Sequence, residues 1–152
     1  MGKISDGRVS PVNDLFYCRE NVAPSTLRLL YKYSSEPVSK GVRDQMLDII
    51  KFGKFRTADK KYVYSDYLKK VECPALLISG SLDKIASPES VKFIYNNISS
   101  RHKTIKIFSR ANGCGSDYGH DDLVIGKNAY YEVYPVILSW LKDQAEDCFS
   151  GN

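Results

Sequence analysis

Nowhere in these 152 residues does an apolar run approach the roughly 20 residues that a bilayer-spanning helix needs. Stretches such as Pro74-Ala75-Leu76-Leu77-Ile78 are far too short, so no transmembrane segment is expected. The opening residues, Met1-Gly2-Lys3-Ile4-Ser5-Asp6, carry one basic residue with no apolar stretch behind it. That does not read as a secretory signal, and a cytoplasmic location is the expectation. Asp6 also stands where a myristoylation pattern wants Ser or Thr. Cysteines are few and unpaired in sequence: Cys18, Cys73, Cys114 and Cys148 form no C-x-x-C, and only His102 and His120 could join them around a metal. Neither a zinc site nor any other cofactor is expected. Free thiols are the simplest reading in a chain with no export signal, although an even count leaves a disulfide open. No basic stripe accompanies the net charge of +4, because Lys60-Lys61 and Lys69-Lys70 are interspersed with acids. With no RNA-binding or helix-turn-helix signature either, nucleic acid is not an expected partner.

What remains is an ordinary globular composition, 43% hydrophobic and 26% charged, with length for one core. Residues 1–22 are rich in Gly, Ser, Asn, Asp and Pro without a sustained period, which predicts an irregular lead-in. Residues 23–66 predict a helical hairpin. Pro24 opens one helix with Leu27, Leu30 and Tyr31 on a stripe; Ser39 caps a second with Val42, Met46, Ile49 and Ile50, and Gly53 ends it. From residue 72 the pattern becomes strand, helix, strand, helix. Cys73–Ser79 is continuously apolar, the habit of a parallel strand buried on both faces. Ser87-Pro88 starts a helix with Val91, Ile94, Tyr95 and Ile98 toward the sheet, and Lys103–Phe108 is the second strand. A Gly-rich loop, Arg110–Gly126, leads to a last helix carrying Val133, Ile137, Trp140 and Leu141, with Pro135 expected to kink it near its start. The fold class is therefore α/β, with two parallel strands, helices and a preceding helical segment.

A right-handed βαβ unit puts the C-terminal ends of both strands on one edge of the sheet, where open α/β sheets bind ligands. Asp83 leaves the first strand at that edge, and His120 lies in the loop that leaves the second, 37 residues later. An Asp that accepts the imidazole Nδ1–H fixes the tautomer and stabilises the imidazolium formed when the other nitrogen takes a proton. Tyr67-x-x-x-Val71-x-Cys73-Pro74-Ala75-Leu76-Leu77-Ile78-x-Gly80-x-x-Asp83 resembles the penultimate-strand region of many α/β-hydrolases. Gly119-His120-Asp121-Asp122-Leu123-Val124-Ile125-Gly126, with Ala129 and Val133-Tyr134 beyond, is similar to the histidine region of acid lipases and related bacterial hydrolases. The resemblance implies that residues 67–152 are the C-terminal βαβα part of an α/β-hydrolase domain and that residues 23–66 are its helical cap. It also implies that Asp83 is the triad acid, His120 the triad histidine, and an acyl ester the substrate. Asp122 matches the family's motif Asp, and with Asp121 it is expected to brace the loop.

The chain departs from that family in one large respect: it contains no G-x-S-x-G, the elbow that presents the nucleophilic serine. The expectation is a C-terminal fragment of a lipase/esterase-like serine hydrolase, inactive alone and completed by a separately encoded N-terminal half. The alternative is a non-catalytic remnant that binds a partner, or a second copy of itself, through an exposed sheet edge. Blander readings exist for each residue. Gly80-Ser81-Leu82-Asp83 is good turn chemistry in its own right. His102, between Arg101 and Lys103, reads as a surface histidine, and the tyrosines of residues 62–67 suit packing as well as an acyl groove. Cys114, six residues before His120, could pair with it as a nucleophile, but a flexible Gly loop presents neither it nor Ser116 rigidly.

Overall fold

Strand β1 (Ala75–Gly80) pairs in parallel with β2 (Lys103–Phe108), in register from Ala75 opposite Lys103 to Gly80 opposite Phe108. The computed structural model describes residues 13–33 and 37–150. Residues 1–12 of the lead-in and the Cys148 side chain fall outside them. The crossover between the strands is α4 (Pro88–Asn97), started as the sequence predicts. The Ser87 hydroxyl accepts the Ser90 N–H at 3.2 Å, and Pro88 fills the first turn, where its missing N–H leaves no gap. Val91 and Ile98 are buried beneath this helix. Lys103 closes its other end, donating from Nζ to the Tyr95 and Ile98 carbonyls at 2.8 and 2.9 Å, where the helix dipole favours a cation. Among the described residues the architecture is thus mixed α/β with a two-stranded parallel sheet.

β1 differs from expectation in its covering. Ala75 to Ile78 are only half-buried; Ser79 and Gly80 alone are fully enclosed. An apolar strand needs material on both faces and both edges to be buried, and the described residues supply one partner strand.

The core gathers at the C-terminal ends of the strands. Phe108, Tyr118, Leu123, Ala129 and Val133 form it, with Ile78, Cys114, Val136 and Ile137 packed around. The loop expected over 110–126 is therefore partly ordered: α5 (Asp122–Ile125) lies inside it and α6 (Ala129–Glu132) follows. Helix α7 (Tyr134–Ser150) is split from α6 at Val133, since Pro135 cannot donate into a continuous helix and is tolerated only in a first turn. Leu141, expected to face inward, is exposed on α7.

The lead-in is also more regular than predicted. It contains α1 (Asn13–Phe16) and a 3₁₀ turn at Arg19–Asn21, and Tyr17, Asn21 and Val22 are buried. The hairpin follows as α2 (Pro24–Tyr33) and α3 (Lys40–Phe52), the latter capped by the Ser39 hydroxyl and ended by Gly53 in the left-handed region. Its orientation corrects the expected inner face: Met46 and Ile50 are exposed, whereas Gln45, Asp48 and Ile49 are half-covered. The reason is polar. Arg56 grips Asp48 through two nitrogens at 2.6 and 2.9 Å, and Gln45 donates to the Arg56 carbonyl, so this face turns toward the 53–63 loop.

Candidate functional site

Asp83 closes the turn after β1, and its two carboxylate oxygens do different work. Oδ1 accepts the backbone N–H groups of Ile85 and Ala86 at 2.8 and 2.7 Å, a local turn of the kind Asp favours. Oδ2 lies 2.9 Å from His120 Nδ1. The turn and the contact with His120 are therefore made by different oxygens of the same carboxylate. The Asp83 side chain is fully buried while that of His120 is 40% exposed, so the acid is shielded and the imidazole is reachable from solvent. A carboxylate only accepts hydrogen bonds, so its partner Nδ1 carries the proton, and in the neutral imidazole Nε2 then holds the lone pair.

The edge is held together by close backbone packing. A Cβ at Gly80 would run into the Tyr118 carbonyl, and Tyr118 O in turn accepts the Leu82 N–H at 2.8 Å, so the strand end carrying the acid lies directly on the loop carrying the histidine. Ser81 adds a side-chain bond to Asp117 at 2.9 Å. Beneath His120, the Asp122 carboxylate is completely buried and accepts from Gly119 N at 2.7 Å, Cys18 N at 3.1 Å and Asn21 Nδ2 at 2.9 Å. Burial pushes its pKa up, and these three donors pull it back in part. Burial also raises the pKa of Asp121, against the opposing pull of His120.

The structure thus brings together Asp83 and His120, which are far apart in sequence, and leaves the other candidates elsewhere. Cys114 packs against the core, and burial raises its thiol pKa, the wrong direction for a nucleophilic thiolate. Ser116 is buried and His102 is exposed. Sequence reasoning missed Tyr17, Asn21 and the lead-in around them. No local signal marks Asn21, because the Asp122 carboxylate it bonds lies 101 residues away. A cleft of about 380 Å³ beside the acid is lined by Tyr17, Arg19, Leu82, Lys84, Arg110 and Asp117 among others, a mixture of charged and apolar side chains. Among the described residues, no group of three or more His, Cys, Asp or Glu could hold a metal ion, and no helix is long and apolar enough to cross a membrane. Comparisons with protein-family models, with curated proteins and with solved structures return no match, so the hydrolase resemblance rests on the residues around Asp83 and His120.

Proposed function

We propose that this chain supplies the acid and the base of a serine ester hydrolase of the α/β-hydrolase fold, acting on acyl esters once a serine is supplied to it. The observation that carries the reading is the 2.9 Å contact between His120 Nδ1 and the buried Asp83 carboxylate, with the imidazole otherwise open to solvent. In that scheme Nε2 takes the proton of an incoming serine hydroxyl as the serine attacks the ester carbonyl. It then returns the proton to the departing alcohol, and Asp83 steadies the imidazolium between the two steps. The serine and the N–H donors for the oxyanion would come from a G-x-S-x-G strand-turn-helix, on a separate chain or on further residues of the same one. The side of β1 that no strand pairs with among the described residues is where such a strand would pair. Cys18, Cys73 and Cys114 are free thiols, which supports a reducing, cytoplasmic setting.

The test is labelling by a fluorophosphonate probe. The 152-residue chain alone should not label. Labelling should appear when a serine-bearing polypeptide, sought in the reading frames upstream of Met1, is added, and His120→Ala should reduce its rate by about 10³-fold or more. Absence of labelling in every combination would favour the alternative, an interaction module that has kept the pair without the chemistry. Turnover by the solitary chain that is lost in Cys114→Ala would instead make Cys114 the nucleophile.

A further inference from the structure

His120 is flanked by two backbone groups tied to the same short segment far away in sequence. On one side, Gly119 N donates to Asp122 Oδ1, and the same carboxylate holds Cys18 N and Asn21 Nδ2. On the other side, Asp121 N donates directly to the Phe16 carbonyl at 2.7 Å. The backbones are in contact as well, for a Cβ on Gly119 would come within 2.7 Å of Tyr17 Cα. Past the helical turn that follows, Lys127 N donates to Asn21 O at 2.6 Å and Lys127 Nζ to Glu20 O at 2.7 Å. Asn21 sits at the centre, wholly buried, and its Oδ1 has no hydrogen-bond partner among the described residues. The contact its side chain makes is through the donor, which goes to Asp122 at 2.9 Å.

We infer that Phe16–Asn21 is a positioning segment for His120, with Asn21 as its positioning residue: it fixes the imidazole against Asp83 by clamping the peptide on both sides of the histidine. Neither Asn21 nor Asp122 touches the reacting atoms in this scheme; both act through the backbone that carries His120. The inference rests on the reading of His120 as the base, but its test does not require catalysis.

In the full chain, the Nδ1 proton of His120, held by Asp83, should give a far-downfield proton resonance. Asn21→Ala should abolish or broaden that signal while far-UV circular dichroism stays as in wild type. Asp44→Asn, which removes only the exposed bridges to Lys40 and Arg43 far from this segment, should leave it intact. An unchanged signal in folded Asn21→Ala would overturn the inference. Should that variant not fold, hydrogen exchange in the wild-type chain decides. Gly119 and Asp121 amides should exchange at least about 100-fold more slowly than an unstructured amide, and exchange at unprotected rates would overturn the inference. If the signal responds as stated while no serine-bearing piece ever yields labelling, the hydrolase reading fails and the positioning inference stands.

Discussion

At the residue scale, the most strained balance in the site is the Asp122 carboxyl, enclosed completely yet served by three donors. Because burial lifts its folded-state pKa above the usual aspartate value of about 3.9, the fold prefers this group protonated. Its contribution to stability is therefore complete below about 3.9 and is lost as pH rises through the raised folded value. Asp48, Asp59 and Glu89 run the other way: Arg56, the Thr57 hydroxyl and backbone N–H donors respectively hold their pKa values down, so what they contribute is lost as pH falls. Comparing wild type with Asp122→Asn separates the two tendencies. The difference in melting temperature, wild type minus variant, should fall as pH rises through the raised window and then level off. A difference that grows with pH would mean that the three donors outweigh the burial. Gly80 gives a sharper prediction, since the atom that a methyl group would strike is the Tyr118 carbonyl, fixed by its bond to Leu82 N. Gly80→Ala should cost about 1–3 kcal/mol by urea denaturation. It should also weaken the Asp83–His120 contact, because the displaced loop carries the histidine.

At the element scale, α4 owes its start to a single hydroxyl, and Ser87→Ala should cost about 1 kcal/mol in the same urea experiment. That element was legible because its signals are local: Ser87-Pro88 marks the start, Val91 and Ile98 supply the covered face, and Lys103–Phe108 follows with the predicted bounds. Pro135 likewise announced the break before α7. The meeting of Asp83 and His120 was legible for a different reason, as parallel strands must end on one edge. What escaped has physical causes in each case. The amphipathic pattern of α3 says that a face exists but not what covers it, and the Arg56–Asp48 pair turned it so that Met46 and Ile50 look outward. The lead-in escaped because a stretch that bonds to residues 119–127 gains its order from them, not from a period of its own. A local reading of Asn21 finds only an asparagine ahead of a proline-initiated helix.

At the scale of the whole molecule, the two edges of the sheet are unequal. Ala75 N donates to His102 O and Ser81 N to Phe108 O, so the odd-numbered N–H groups of β1 point at β2. Alternation along the strand then turns those of Leu76 and Ile78 to the open side. Among the described residues nothing pairs with that side, whereas the far edge of β2 has Asn112 Nδ2 on the Ile107 carbonyl at 2.8 Å. Such an edge is a template for another strand, and a two-stranded sheet is marginal in water without one. The occupant we expect is the strand of a serine-bearing piece. Leu76→Pro tests this with little harm to the β1–β2 ladder, because it deletes an N–H that the ladder does not use. The variant should keep the downfield Nδ1 proton of His120, showing that β2 and the site loop are still in place. It should nevertheless fail to gain fluorophosphonate labelling from a piece that activates the wild-type chain, with association weakened about 100-fold by sedimentation. If instead the wild-type chain sediments as a dimer by itself and Leu76→Pro as a monomer, the edge is filled by a second copy. Asp83 and His120 would then be an ordered pair in an assembly that contains no G-x-S-x-G serine for them to activate.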